Sequence, residues 1–395
     1  MPNQFLSPEG DLENYFVTEY WLIDQYVGDE LWVWGNGGNV QLGTNATTNR
    51  STPVTTFAGG TNWKQLYSAN LHTTAIKTDG TLWTWGNGRY GRLGNAVTTG
   101  NISTPVTTFA GGTNWKQVSG GNTLTAAIKT DGTLWIWGLA TLGRLGNGIT
   151  TGNVSTPVTT FAGGTNWKQV SGGGSHCAAI KTDGTLWTWG NGGNAQLGTN
   201  AVTDKSTPVT TFAGGNNWKQ VSAGNLHTAA IKTDGTLWTW GSGDSGRLGN
   251  AVTTNVSTPV TTFAGGTNWK QVSAGGFHMA AIKTDGTLWT WGNGANGRLG
   301  NAVTTNVSTP VTTFAGGSSW KQVSSGGYHM AAIKTDGTLW TWGNGTLAQL
   351  GNNSATSVST PVTTFAGGTN WKQVSAGGSH TAAVQAGISA EYPLS

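Results

Sequence analysis

The residues best equipped for chemistry recur at fixed intervals. Histidine occurs six times, as His72, His176, His227, His278, His329 and His380, each opening a run of small residues such as His278-Met-Ala-Ala-Ile282. Leu124 stands at the seventh such place. A ring of imidazoles about one axis would suggest a metal site, because neutral imidazole is a common metal ligand. A structural role fits better: sites on separate repeats lie too far apart to share an ion, and Leu124 shows that the place accepts an apolar side chain. Each imidazole is expected to bond to backbone within its own repeat. Asp79, Asp131, Asp183, Asp234, Asp285 and Asp336 all fall in Lys-Thr-Asp-Gly, where turn chemistry explains them and no close carboxylate pair arises for acid/base work. Cys177, the single cysteine, aligns with Met279, Met330 and Thr228 and reads as a packing residue, not a nucleophile. There is no P-loop, nucleophile elbow, zinc-protease helix or cysteine cluster. Catalysis needs unlike groups converging on one point, and near-identical repeats do not supply them. No catalytic residue, metal or cofactor is expected.

Two further sets of residues suit recognition. Arg92, Arg144, Arg247 and Arg298 occur in Arg-Leu-Gly segments, with Arg89 nearby in one of them. They are expected near one face, where guanidinium groups would bind acidic glycans or carboxylate-rich partners; the competing reading is solvated loop charge. The same junctions hold the variable residues Arg89-Tyr90, Leu139–Leu142, Asp244-Ser245 and Thr346-Leu347. Against otherwise constant repeats, these are where specificity would reside. The candidate binding surface is therefore Arg89, Tyr90, Arg92, Arg144, Asp244, Arg247, Arg298 and Leu347.

What must position these residues is set by the stretch Leu-Trp-Thr-Trp-Gly. It starts at Leu82, Leu186, Leu237, Leu288 and Leu339, with variants at Leu31 and Leu134, so successive spacings are 51, 52, 52, 51, 51 and 51 residues. Self-similarity at that period marks a repeat architecture. Side chains alternate along a strand, so Trp83 and Trp85 share one face while Leu82 and Thr84 share the other. A sheet with bulky groups on both faces needs neighbours on both sides, which radially stacked blades provide. Residues 257–307 show the unit: an outer strand Ser257–Phe263, a second strand Trp269–Ser273, a small-residue strand Phe277–Ile282 suited to the inner blade, and a returning strand Thr287–Trp291. The Asp285-Gly286 pair is read as a hairpin turn because it tolerates positive φ. Four short strands match a propeller blade.

The ends complete the ring. The last repeat stops after His380–Val384 without a returning Leu-Trp-x-Trp strand, and the first begins at Asp29–Trp34 without the strands that should precede it. Left open, both halves would expose unpaired edges. Joined, they form a composite seventh blade. The expected fold is all-β, a closed seven-bladed β-propeller over residues 31–385, with a leader at 1–30 and a tail at 386–395. Residues 1–49 hold seven acids and no Lys or Arg, a charge of −7, whereas the remainder carries all 20 bases against nine acids. In the leader, Ser7-Pro8 could start a helix with Leu12, Tyr15, Phe16 and Ile23 on one face, while aromatic and β-branched residues over Tyr15–Ile23 equally favour a strand. It serves either to cover a propeller edge or as an anchor through Leu12, Tyr15, Phe16, Tyr20 and Trp21 to a protein assembly partner. The bases are spread among the repeats, so a nucleic-acid patch is not indicated. Neither a signal peptide nor a membrane-spanning stretch is present, and no membrane insertion is expected.

The elements Ala274-Gly-Gly, His278, Ala281-Ile282, Asp285-Gly286, Leu288–Gly292 and Gly297-Arg-Leu-Gly300, recurring over residues 31–384, resemble the RCC1-like repeat family, named for the regulator of chromosome condensation. Gln41, Gln196 and Gln349 keep the Gln-Leu-Gly that the family favours, whereas Arg92, Arg144, Arg247 and Arg298 depart from it. The resemblance implies a seven-bladed propeller and several unrelated functions. Nucleotide-exchange members use an inserted hairpin wedge against a small GTPase, for which the 51–52 residue spacing leaves no room. Ultraviolet receptors of the family carry Gly-Trp-Arg-His-Thr, where this chain has Gly275-Gly-Phe-His-Met279, so the sensing tryptophan is replaced by Gly276. The short acidic leader (Asp11–Phe16) before near-identical Thr/Asn/Gly-rich units also resembles virion-associated proteins of tailed marine phages. The expectation is a non-enzymatic module displayed on a larger assembly, most simply a phage virion made in the host cytoplasm, binding a protein, surface glycan or host receptor. The alternative is a cellular regulator, cytoplasmic, that binds a small GTPase or chromatin.

Overall fold

A computed structural model describes residues 28–387. Every blade starts at the centre with a Trp-Lys-Gln strand and works outward. In one blade the order is Trp269–Ala274, His278–Lys283, Leu288–Gly292 and Val307–Thr312, antiparallel throughout. Seven such four-stranded sheets are present among the described residues. The Trp-Lys-Gln strands of adjacent blades touch one another and line a central channel.

The four-strand unit read from Ser257 is out of phase with the blade. Strand Val256–Thr261 pairs with Leu237–Gly241 of the preceding repeat, with Val260 opposite Thr239. The glycine-rich connection after Gly241 brings the chain back beside the strand it has just left. The loop after Thr261 then crosses to the centre of the next blade, so each repeat latches onto its predecessor. The inner position also differs from expectation: the histidine strand is second from the axis, and the Trp-Lys-Gln strand is innermost.

Closure is as the two half-repeats require. Trp371–Ala376 and His380–Gln385 form the inner half of one blade, and Glu30–Gly35 and Arg50–Thr55 form the outer half. Leu31 faces Val384 and Val33 faces Ala382 across the joint.

The hydrophobic core lies between blades. Ala280, Ile282 and Leu288 of one blade pack on Trp320, Val323, Met330, Ala332 and Trp342 of the next. Trp320 meets Trp340 and Trp342 edge-on, with centroids 6.2 Å apart in both cases, the geometry favoured by the ring quadrupole. All three indole N–H groups are satisfied: Trp320 donates to Gly316 O, Trp340 to Thr338 Oγ1 and Trp342 to Arg298 O. That last bond crosses to the preceding blade. Lys334 caps the pair, its Nζ 4.9 Å and 4.4 Å from the Trp320 and Trp340 ring centres.

The Lys-Thr-Asp-Gly hairpin differs in turn type from a two-residue Asp-Gly loop. Gly286 alone takes positive φ (+81°), and Lys283 O accepts from Gly286 N at 3.0 Å. This is the three-residue form in which a type I turn ends on a left-handed glycine. Asp285 Oδ1 accepts from Thr287 N (2.9 Å) and Thr287 Oγ1 (2.7 Å), which accounts for the aspartate.

Candidate functional site

The repeated polar residues form circumferential rings that join blade to blade. In the innermost strands, Gln322 Nε2 donates to Val374 O (3.1 Å), and Gln322 Oε1 accepts from Val374 N (3.1 Å). The same exchange runs across the composite blade, where Gln373 bonds both backbone groups of Leu66. A second ring links serines, as Ser324 Oγ accepting from Ala376 N at 2.9 Å. Tyr67 replaces serine at one place in that ring. Burial raises its hydroxyl pKa, and the side chain reaches into the channel.

The histidines belong to a third ring, and here the expectation of bonds within one repeat is corrected. The side-chain partner lies on the next blade. His72 Nε2 meets Thr125 Oγ1 at 2.8 Å, His176 meets Thr228 at 2.8 Å, His329 meets Thr381 at 2.7 Å and His380 meets Thr73 at 2.9 Å. Each of these threonines also donates to a carbonyl, as Thr228 does to Gln196 O at 2.8 Å, so the imidazole must be the donor through Nε2–H. Where the next blade carries a residue without that hydroxyl, the pairing fails. His227 and His278 face the Met279 and Met330 positions, and neither of their ring nitrogens has a partner. Leu124 faces the Cys177 position, so polar goes with polar and apolar with apolar at five of the seven junctions. All six imidazoles are fully buried, and burial lowers their pKa, to about 3 for His176, His329 and His380. They are neutral structural groups. Among the described residues no set of three or more His, Cys, Asp or Glu is placed to hold a metal. Cys177 is buried, its Sγ 3.7 Å from Arg144 O, and burial raises its pKa.

The Arg-Leu-Gly arginines are covered, not held out on a rim. Arg92, Arg144, Arg247 and Arg298 are only 2%, 6%, 4% and 4% exposed. Each Nε donates to the carbonyl three residues back, and Arg92 Nη1 adds Asn122 O at 2.7 Å. Burial lowers Arg92 to about 10, which leaves it charged at neutral pH. Arg92 through Asn122 O and Arg144 through Thr123 Oγ1 tie the connection after the third strand to a connection after the first. The two connections lie at the same end of the blade, as Asn293 N donating to Phe277 O shows.

What these arginines support is aromatic. Arg89 and Arg92 lie 4.7 Å and 5.4 Å from the Tyr90 ring centre. Arg247 and Arg298 lie 5.6 Å and 5.7 Å from Phe277, Arg298 lies 5.6 Å from Tyr328, and the Phe277 and Tyr328 rings are 5.8 Å apart. Thus the structure joins Arg89, Tyr90 and Arg92 in one cluster and Arg247, Arg298, Phe277 and Tyr328 in another. Arg89 and Asp244 are exposed, Leu347 is half-buried, and Arg144 bonds to Thr123 Oγ1 and Thr141. Phe277 and Tyr328 were missed by sequence reasoning, although their signal was present: in the other repeats this place holds Leu, Thr or Ser. The anchor residues Leu12, Tyr15, Phe16, Tyr20 and Trp21 lie outside the described residues.

With this geometry in hand, comparison with known proteins is direct. The RCC1-like domain matches residues 153–389, and the regulator of chromosome condensation (RCC1) repeat matches residues 79–128. The chain belongs to the RCC1-like domain family. It is 31% identical over 332 residues to the ultraviolet-B receptor UVR8 of Arabidopsis thaliana, covering 82% of this chain and 75% of that one. It is 31% identical over 257 residues to the E3 ubiquitin-protein ligase HERC2 of Homo sapiens, covering 63% of this chain and only 5% of HERC2. Among solved structures, human WBSCR16 superposes with a TM-score of 0.80 at 19% identity, covering 91% of this chain and 100% of that one. Prp20p of Saccharomyces cerevisiae gives 0.80 at 19%, covering 94% and 95%. At those identities the structures speak for the fold. The relatives at 31% identity come from a plant and from humans, so they favour the cellular reading and lend no support to a virion appendage. The place of the receptor family's sensing tryptophan is Gly276, where even a Cβ would sit 2.8 Å from Gly327 O. No helix of the described residues is long and apolar enough to cross a membrane.

Proposed function

We propose that this chain is a non-enzymatic recognition module of the RCC1-like regulator type, which binds a protein partner through the face carrying Arg89, Tyr90, Phe277 and Tyr328. The observation that supports it is the pair of aromatic clusters backed by buried arginines on an otherwise constant ring; Tyr328 is 42% exposed. Aromatic residues and arginine dominate the energetics of protein interfaces, and a side chain held by packing loses little entropy on binding. The rings of Gln, Ser and His–Thr bonds make the support rigid. Small GTPases and chromatin proteins are the partner classes that the relatives bring to mind, since Prp20p was studied for binding Gsp1p and histones. A nucleotide-exchange mechanism is disfavoured, because every connection between described strands follows the common repeat and none extends into a wedge.

The test is equilibrium binding of the whole chain to histone octamers, nucleosomes and a Gsp1p-type GTPase, alongside the variant Tyr90→Ala, Phe277→Ala, Tyr328→Ala. Binding to one of these that weakens at least about tenfold in the variant is the expected result. Binding to none, or equal binding by both proteins, refutes it. Density-gradient sedimentation of the native source addresses the virion reading: co-migration with virus particles would replace the regulator assignment.

A further inference from the structure

The opposite mouth of the channel carries a feature independent of that reading. In all seven innermost strands the ladder to the histidine strand slips by one residue between Trp and Gln, and the extra residue is always lysine. The seven are Lys64, Lys116, Lys168, Lys219, Lys270, Lys321 and Lys372, and all are exposed. A bulge re-aims a side chain out of the strand's alternation. Here it sets one lysine per blade at the end where the innermost strands begin, and four of the seven reach the channel mouth. Lys64, Lys116, Lys321 and Lys372, with Gln65, Gln322 and Gln373, line a cavity of about 520 Å³ at this mouth.

We propose that this lysine ring is a binding site for a carboxylate-rich peptide segment. Like charges gathered around one opening repel, and a multivalent anion on the axis relieves them all together. The turn aspartates form no ion pair with these lysines among the described residues. One carboxylate already enters the site: Asp29 Oδ1 accepts from Lys372 Nζ at 2.6 Å. The other six lysines have no ion pair among the described residues. The glutamines behind them are committed to the backbone of the next blade, so the mouth offers point charges and no oriented fork for a phosphate. Charge without fixed geometry suits a pliable acidic chain. Such a chain has two sources, a partner or this protein itself, whose residues 1–28 hold Glu9, Asp11, Glu13, Glu19 and Asp24 and no Lys or Arg.

The experiment is fluorescence anisotropy of a labelled octaglutamate peptide with the full chain. The expected result is saturable binding that falls steeply with added NaCl and weakens about tenfold or more in the variant Lys64→Gln, Lys116→Gln, Lys321→Gln, Lys372→Gln. The corresponding four Lys→Arg changes should retain it, which separates charge from misfolding. Peptide binding that is unchanged by the Gln variant overturns the proposal. So does an absence of peptide binding while labelled inositol hexakisphosphate binds. Neutralising the five leader acids distinguishes the sources: tighter peptide binding marks the chain's own segment as the competitor, and unchanged affinity marks a partner's.

Discussion

Replacing His176 and His227 by leucine, one at a time, should have opposite consequences although the two residues are equivalent in sequence. His176 donates to Thr228 Oγ1 at 2.8 Å, and its loss removes a buried bond between blades. His227 has no partner on either ring nitrogen, because Met279 stands where the threonine would be. A typical buried hydrogen bond contributes about 1 kcal/mol net, whereas a buried polar group without a partner costs about 1–3 kcal/mol. His176→Leu should therefore destabilise by about 1–2 kcal/mol, and His227→Leu should be neutral or stabilising by about 1 kcal/mol. Leu124, facing the Cys177 position, is the native precedent for an apolar junction. Met279→Thr should act from the other side and restore the missing acceptor, which offsets about 1 kcal/mol of the packing lost with the fully buried Met279 side chain. The assay is guanidinium unfolding at pH 8, followed by tryptophan fluorescence, with all imidazoles neutral in both states. Equal destabilisation by the two His→Leu changes, or a larger loss at His227, would refute the pairing argument.

Other consequences follow from the same contacts. Burial depresses His176, His329 and His380 to about 3 from 6.5, so the unfolded chain binds protons that the native one refuses. Stability should be full above about pH 6.5 and fall progressively from there toward pH 3, by about 2 kcal/mol per such histidine at pH 5, visible as a falling Tm. Trp34 is fully buried in the composite blade and donates to Gln349 O at 3.0 Å; Trp34→Ala should cost about 3–5 kcal/mol and lower the unfolding midpoint accordingly. Gly286→Ala forces a side chain into positive φ and against Ser318 O, so it should destabilise by more than the roughly 1 kcal/mol of backbone strain alone, measured in the same unfolding assay. Phe57, Phe109, Phe161, Phe212, Phe263, Phe314 and Phe365 are 64–74% exposed, so changing all seven to serine should leave Tm nearly unchanged while reducing self-association in sedimentation velocity.

Much of this protein was legible in its sequence because repetition multiplies weak signals. The period near 51 residues, the Leu-Trp-x-Trp alternation and the complementary half-repeats at Leu31 and Val384 together imply seven blades and a closed ring. Alternation is a local property, and an unpaired edge is costly wherever it occurs. The phase of the blade was not legible. Whether the Ser-Thr-Pro-Val strand joins its own repeat or the preceding one depends on which neighbour it meets across a long connection, and only the assembled sheet decides that. The arginines show the same limit: a guanidinium in a glycine-rich loop looks exposed in sequence, yet Arg92 and Arg298 are covered because two connections at one end of a blade close over them. The histidine partners were hidden for a related reason. His176 and Thr228 are 52 residues apart, and nothing but the stacking of blades brings their hydroxyl and imidazole to 2.8 Å. Sequence determined the elements and their number, because these follow from periodicity. Tertiary structure decided which polar groups meet, because those contacts run between repeats and depend on the angle at which the ring closes.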